Sequence, residues 1–166
     1  MRGCGWRRSV RKVGRIEDRL AELEITLPTP MPRFGSFEPV KLYGGLAYIA
    51  GHGPFDGGTP LVQGVVGQDV TLAQAHEAAR LTGLAILASL KEALRELDRV
   101  SEWLRVVGYV QTAPDFQQNA KVVNGFSDLI VDLWGDAGRH ARSAPGQGPS
   151  PFNVPVIVDG IVAINA

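Results

Sequence analysis

Gly138-Arg-His-Ala-Arg-Ser-Ala-Pro-Gly-Gln-Gly-Pro-Ser-Pro-Phe-Asn-Val-Pro-Val-Ile-Val-Asp159 runs from three potentially cationic side chains through a Gly/Pro-rich loop into a β-branched run. The β-branched part, Val154 to Ile164, reads as the last strand of the domain. Arg142 stands where loop meets strand. A guanidinium presents a planar fork that holds a carboxylate by two parallel hydrogen bonds, so Arg142 is the residue expected to hold a small carboxylate substrate.

Outward from that stretch, the chain alternates legible elements. Ile16 to Leu23 has leucines and acids at helical spacing and reads as a short amphipathic helix, ended by the Pro-rich run Pro28 to Pro32. Val40–Tyr43 and Leu46–Ala50, joined by Gly44-Gly45, form a hairpin signal, since a two-residue turn of this type needs positive φ at both centres. Leu61 to Val66 is expected as a third strand. Thr71-Leu-Ala-Gln74 has the form of a capping box and opens the longest helix, expected from Leu72 to about Leu97. Its stretch Leu81 to Leu90 carries no charge on any face, so a second helix or another subunit should cover it. Val100 to Thr112 reads as a strand with Leu104, Val106 and Val110 inward, and with Gly108 marking a bulge. A second helical stretch from Pro114-Asp115 to Trp134-Gly135 should be divided at Asn124-Gly125. The order is an α+β sandwich with helices on one face of the sheet.

Composition bounds the function. With 166 residues this is one domain, able to bury a sizeable core. The net charge of zero conceals an asymmetry: Arg2, Arg7, Arg8, Arg11, Lys12 and Arg15 face no acid in residues 1–15, leaving 11 basic and 17 acidic residues beyond. Residues 1–15 are therefore expected to be a basic N-terminal extension, disordered or an artefact of upstream read-through, and 16–166 the folded domain. So acidic a domain is a poor binder of phosphate backbones, which excludes nucleic acid as the expected partner. The apolar run Leu81–Leu90 is too short to span a bilayer, and no membrane partner is expected. A lone Cys4 excludes an internal disulfide and a cysteine metal site, which fits a cytoplasmic location. His52, His76 and His140 have no ligand spacing, so no metal is expected. No nucleophile elbow, Walker loop or dinucleotide fingerprint is present, and no cofactor is expected. Ser143 beside His140 is too near in sequence to align as a nucleophile–base pair.

The segments Phe34-Gly-Ser-Phe37, Leu46-Ala-Tyr-Ile-Ala-Gly-His-Gly-Pro54, Ala113-Pro-Asp-Phe116, Asn124-Gly-Phe-Ser-Asp-Leu129 and Gly138-Arg-His-Ala-Arg-Ser143 together resemble the RidA/YjgF reactive-intermediate deaminase family, in a divergent branch. The resemblance covers about Pro32 to Ile164. It implies a chorismate-mutase-like mixed sheet with two helices packed on one face, assembled as a homotrimer with ligand pockets in the inter-subunit clefts. It implies cofactor-independent hydrolysis of 2-enamine and 2-imine carboxylates, of the 2-aminoacrylate or 2-iminopropionate type, to 2-keto acids and ammonia. The family's carboxylate-clamping arginine falls on Arg142, a pocket asparagine on Asn124 and a strand-end glycine on Gly51.

Three positions depart from the family. Its pocket glutamate falls on Ile157, its pocket tyrosine on Phe37, and a cysteine on Ala144. Isoleucine can neither accept a proton nor orient water. Asp159, on the same pleat about 7 Å along the strand, is a candidate replacement carboxylate, or it merely caps a subunit edge. His52, where the family often has glutamine, is a second candidate for the missing polar group. The more apolar pocket keeps an alternative open, a keto-acid binding protein without turnover. An endoribonuclease, a historical family label, is the least supported reading.

Overall fold

The computed structural model describes residues 15–165; the predicted basic extension, up to residue 14, lies outside the described residues. Arg15 itself is the first residue of helix α1 (Arg15–Glu22). The Asp98 carboxylate accepts the Arg15 N–H at 2.5 Å and the Ile16 N–H at 2.9 Å. Those are helix-end donors that no residue of the helix itself could satisfy. Ile16 and Leu20, one turn apart, are the buried stripe of α1.

The chain then forms hairpin β1 (Val40–Tyr43) and β2 (Leu46–His52), with φ of 59° at Gly44 and 79° at Gly45. A small separate hairpin follows, β3 (Phe55–Asp56) with β4 (Thr59–Pro60). Helix α2 (Leu72–Leu94) carries the capping box in full, with Thr71 and Gln74 bonded reciprocally. After it come β5 (Val100–Gln111), helix α3 (Asn119–Trp134), the short strands β6 (Ala141–Ser143) and β7 (Gly146–Gln147), and β8 (Val156–Ile164). The sheet order is β1-β2-β8-β5-β6, with β7 also on β5. Only β6 and β7 run parallel to their neighbour, so the sheet is mixed.

Helices α2 and α3 cover one face. There Ala47, Ile49, Val106, Val110, Val156, Val158 and Val162 meet Ala79, Ile86, Leu90, Val122, Phe126 and Ile130 in one core. The other face carries Tyr48, Val107, Tyr109, Ile157, Asp159 and Ile161, none of them buried. Among the described residues no helix is long and apolar enough to cross a membrane.

Several expectations are corrected. Leu61–Val66 is not a strand: Pro60 closes β4, and only Val66 pairs, its N–H donating to Gln111 O at 2.8 Å and its carbonyl accepting from Ala113 N at 2.9 Å. Leu104 is 40% exposed, because a register shift between Trp103 and Arg105 turns Trp103 inward in its place. Gly108 is not at a bulge; a Cβ there would sit 2.6 Å from the Val123 side chain, so the glycine sets how closely α3 lies on β5. Helix α2 stops at Leu94, where Arg95 caps it with φ 73°. Helix α3 begins at Asn119 and runs unbroken through Asn124-Gly125. Gly125 faces the His76 carbonyl of α2, leaving no room for a Cβ. The uncharged middle of α2 is thus covered inside the chain, by α3 and by the sheet.

Candidate functional site

The Gly138–Ser143 stretch folds back on α3. Gly138 approaches the helix so closely that a Cβ would lie 2.6 Å from Ile130 O, and no other residue fits there. Strand β6 then pairs with β5, with Arg142 opposite Val106, a residue of the helix-covered face. Arg142 therefore points toward α3. Its Nη1 donates to Asn124 Oδ1 at 3.0 Å and to Ser127 Oγ at 2.9 Å, and its Nη2 donates to Ala120 O at 3.3 Å. Nη1 carries two hydrogens, and both are taken. Every acceptor is a neutral oxygen, so the full guanidinium charge is left for whatever enters.

His140 completes the cluster. Its Nδ1 donates to Gly138 O at 2.7 Å, and its Nε2 lies 3.0 Å from Ser127 Oγ. Its ring rests on Phe126 and Trp103, with centroids 5.9 and 6.4 Å away. Burial pushes its pKa below the ordinary histidine value and the Arg142 charge adds to that, against the Gly138 carbonyl. Ser127, Asp128, Val131, Arg139, His140 and Arg142 line an open cleft of about 260 Å³. A larger cleft of about 640 Å³, between the Pro28–Pro32 segment and α2, contains none of the residues predicted for the site.

Of the predicted residues, one protomer brings only Asn124 to Arg142. Gly51 and Ile157 adjoin each other across β2 and β8, where a Cβ on Gly51 would touch Ile157 Cγ2 at 3.0 Å. They lie with Asp159 on the uncovered face of the sheet, opposite the face toward which Arg142 points. Burial raises the Asp159 pKa, against a hydrogen bond from Tyr109 and the charge of Arg105. Phe37 is exposed in the loop before β1, and Ala144 packs half-buried against the core.

His52 does not face the uncovered side. It is fully buried, donating from Nδ1 to Ala50 O at 2.7 Å and accepting at Nε2 from Ser89 Oγ of α2 at 2.9 Å. A fully buried imidazole with both nitrogens engaged has no capacity for a ligand, so it is corrected to a core residue.

Sequence reasoning missed Ser127; it weighed only Ser143 as a partner for His140 and rejected it, whereas the serine at His140 Nε2 is Ser127. The signal was present in the spacing. Asn124 and Ser127 are three apart on a helix and share a face; His140 and Arg142 are two apart at a strand and share the other.

Fold and cleft define a small α+β domain that cradles an arginine between a sheet edge and a helix. The chain belongs to the YjgF family: a family model described as "YjgF/chorismate mutase-like, putative endoribonuclease" matches residues 17–161. Protein TCP17 of Trypanosoma cruzi is 32% identical over 158 residues, which is 95% of this chain and 99% of that protein. Among solved structures, Atu1372 of Agrobacterium tumefaciens, a protein of unknown function, is 39% identical with a TM-score of 0.84, covering 91% of this chain and 93% of that one. A protein of Shewanella oneidensis described as a putative endoribonuclease is 30% identical with a TM-score of 0.85, covering 90% and 99%. The expected family and its chorismate-mutase-like fold are therefore those of this protein.

Proposed function

We propose that the protein hydrolyses short-lived 2-enamine and 2-imine carboxylates to 2-keto acids and ammonia, without a cofactor. The observation that carries this reading is Arg142: a guanidinium fixed by three neutral acceptors, with its charge uncompensated, in a cleft sized for a small acid. Nη2 and Nε are the edge left to take a carboxylate in a fork. Asn124 spends Oδ1 on Arg142, which leaves its amide N–H groups for the substrate or for water. Water adds to the C=N carbon, and the resulting carbinolamine collapses with loss of ammonia. A protonated imine is already electrophilic, so positioning supplies most of what the protein must add.

Because Gly51, Ile157 and Asp159 face away from Arg142 in one protomer, the reading includes a homotrimer. The uncovered face of one copy would close the Arg142 cleft of the next.

The test is deamination of an imine generated in situ by an amino-acid oxidase, with keto-acid release followed against semicarbazide as trap. Wild type should outcompete the trap. Arg142→Ala should lose about 2–3 kcal/mol of transition-state binding, the worth of a charge-assisted pair. A wild type indistinguishable from buffer across several imines would sink the enzyme reading.

A second reading then leads, keto-acid binding without turnover, which Ile157 favours because it offers no proton acceptor. Pyruvate binding that Arg142→Ala abolishes would establish it. Nucleic-acid cleavage, the activity named in descriptions of relatives, sits poorly on a domain with 11 basic and 17 acidic residues beyond residue 15. RNA binding with a steep salt dependence would be needed to support it.

A further inference from the structure

Ser127 has one hydrogen to give and two neighbours, Arg142 Nη1 at 2.9 Å and His140 Nε2 at 3.0 Å. The direction of that hydrogen follows from His140. The Gly138 carbonyl, 2.7 Å from Nδ1, can only accept, so Nδ1 carries the ring hydrogen. In a neutral imidazole Nε2 is then bare, and Ser127 must donate to it. The serine lone pairs are thereby turned toward the guanidinium. A run of hydrogen bonds extends from a backbone carbonyl locked against α3, through an imidazole wedged on Trp103 and Phe126, to the Arg142 fork.

We propose that His140, acting through Ser127, is a positioning residue that aims the Arg142 guanidinium at its ligand. The inference rests on the carboxylate-clamp reading of Arg142. It assigns a role to two side chains that would otherwise be a polar pair at the foot of a cleft.

The arrangement works with neutral His140 only. A proton on Nε2 would make it a donor, so that it and Nη1 would both aim hydrogens at one serine oxygen, and Ser127 would have to turn its own hydrogen away. Two cations would also face each other across a single hydroxyl. The charged groups around the imidazole are Arg142 on β6, Arg139 just before that strand, and Asp128 on α3; Trp103 from β5 and Phe126 from α3 are neutral. Carboxylate binding should therefore weaken as acid protonates His140. A histidine serving merely as one more cation would strengthen it.

The experiment is titration calorimetry with pyruvate on the full chain, for wild type, Arg142→Ala, Ser127→Ala, Ser127→Thr and His140→Gln, at neutral pH and near pH 5.5, with thermal melts to confirm folding. Arg142→Ala should abolish binding. Ser127→Ala should weaken it about tenfold, the loss of one hydrogen bond to a charged group. Ser127→Thr, which keeps the hydroxyl, should restore it. His140→Gln can accept from Ser127 but cannot be protonated and lacks the ring held on Trp103 and Phe126, so it should bind more weakly than wild type at neutral pH and lose the acid-side weakening.

If Ser127→Ala binds like wild type while Arg142→Ala does not, the positioning role is wrong and the clamp stands. If wild type and Arg142→Ala behave alike, the clamp itself fails and takes this inference with it. A wild-type affinity that rises toward acid, in a way His140→Gln removes, would also overturn the proposal, because His140 would then be a cation at the ligand.

Discussion

At the scale of single residues, His52 and His140 are built alike. Each donates from Nδ1 to the carbonyl two residues before it and accepts at Nε2 from a serine on a helix. His52 does so wholly inside the core, where Ser89 in turn accepts from the Met31 N–H at 3.4 Å and ties the Pro-rich segment down. Burial lowers its pKa from the ordinary 6.5, against the Ala50 carbonyl. A base whose folded pKa is depressed binds fewer protons folded than unfolded, so stability is full above the unfolded value and is lost as pH falls below 6.5 toward the folded value. His140 contributes with the same sign. Urea denaturation against pH should be flat on the alkaline side and decline on the acid side, and His52→Gln should remove part of the decline. An unchanged acid limb in that variant would contradict the assignment. The candidate site was legible in the residues themselves only at Arg142, where one residue type carries the chemistry; Asn124 came from the family resemblance alone. The Ser127–His140 pair depends on how α3 meets β6, and that contact is set by Gly138, whose steric role no side-chain chemistry announces.

At the scale of elements, the packing of α2 on α3 decides how far Asn124 and Ser127 reach toward the β6 edge. Gly125 lies directly against the His76 carbonyl, and Gly83 lies against Leu129 and Phe126, where a Cβ would meet Leu129 Cδ2 at 2.9 Å. Small residues from both helices thus allow a close approach. In Gly125→Ala, overpacking against backbone should cost about 1–3 kcal/mol, while the better helix propensity of alanine returns about 1 kcal/mol. A Tm lower by a few degrees is expected, with Arg142 function impaired because Asn124 and Ser127 shift with the helix. A higher Tm would mean that the contact is loose. The elements with local chemistry were readable in advance: the Gly44-Gly45 turn, the Thr71–Gln74 box, the glycine stop after Trp134. Those that were misread depend on neighbours. The Leu61–Val66 run has strand composition but finds only one pairing position, and Leu104 loses its inward place to a register shift that alternation along β5 does not reveal.

At the scale of the whole molecule, the sheet is covered on one side only. Tyr48, Val107, Tyr109, Ile157 and Ile161 lie on the uncovered side, with Lys41, Arg105 and Asp159 among them. An antiparallel sheet can face water, but such a face is ordinarily polar, and this one is rich in β-branched and aromatic residues. The proposed homotrimer would cover it and bring Gly51, Ile157 and Asp159 of one copy to the Arg142 cleft of another. Sedimentation should then give three times the 17.8 kDa chain mass. Shared sites make a sharper test than mass alone. Arg142→Ala removes the clamp, and Ile157→Trp in the facing surface should fill the opposite wall of the cleft and exclude the substrate; each variant alone should be inactive. In trimers refolded from an equal mixture, a site needs an intact Arg142 from one copy and an intact face from its neighbour, which chance supplies for about a quarter of the sites in a closed ring. Activity recovered to roughly that fraction, measured with the imine assay, would show that the wall and the clamp come from different chains. Mixtures as inactive as their components would place both in one chain, against the protomer geometry in which the two lie on opposite faces of the sheet.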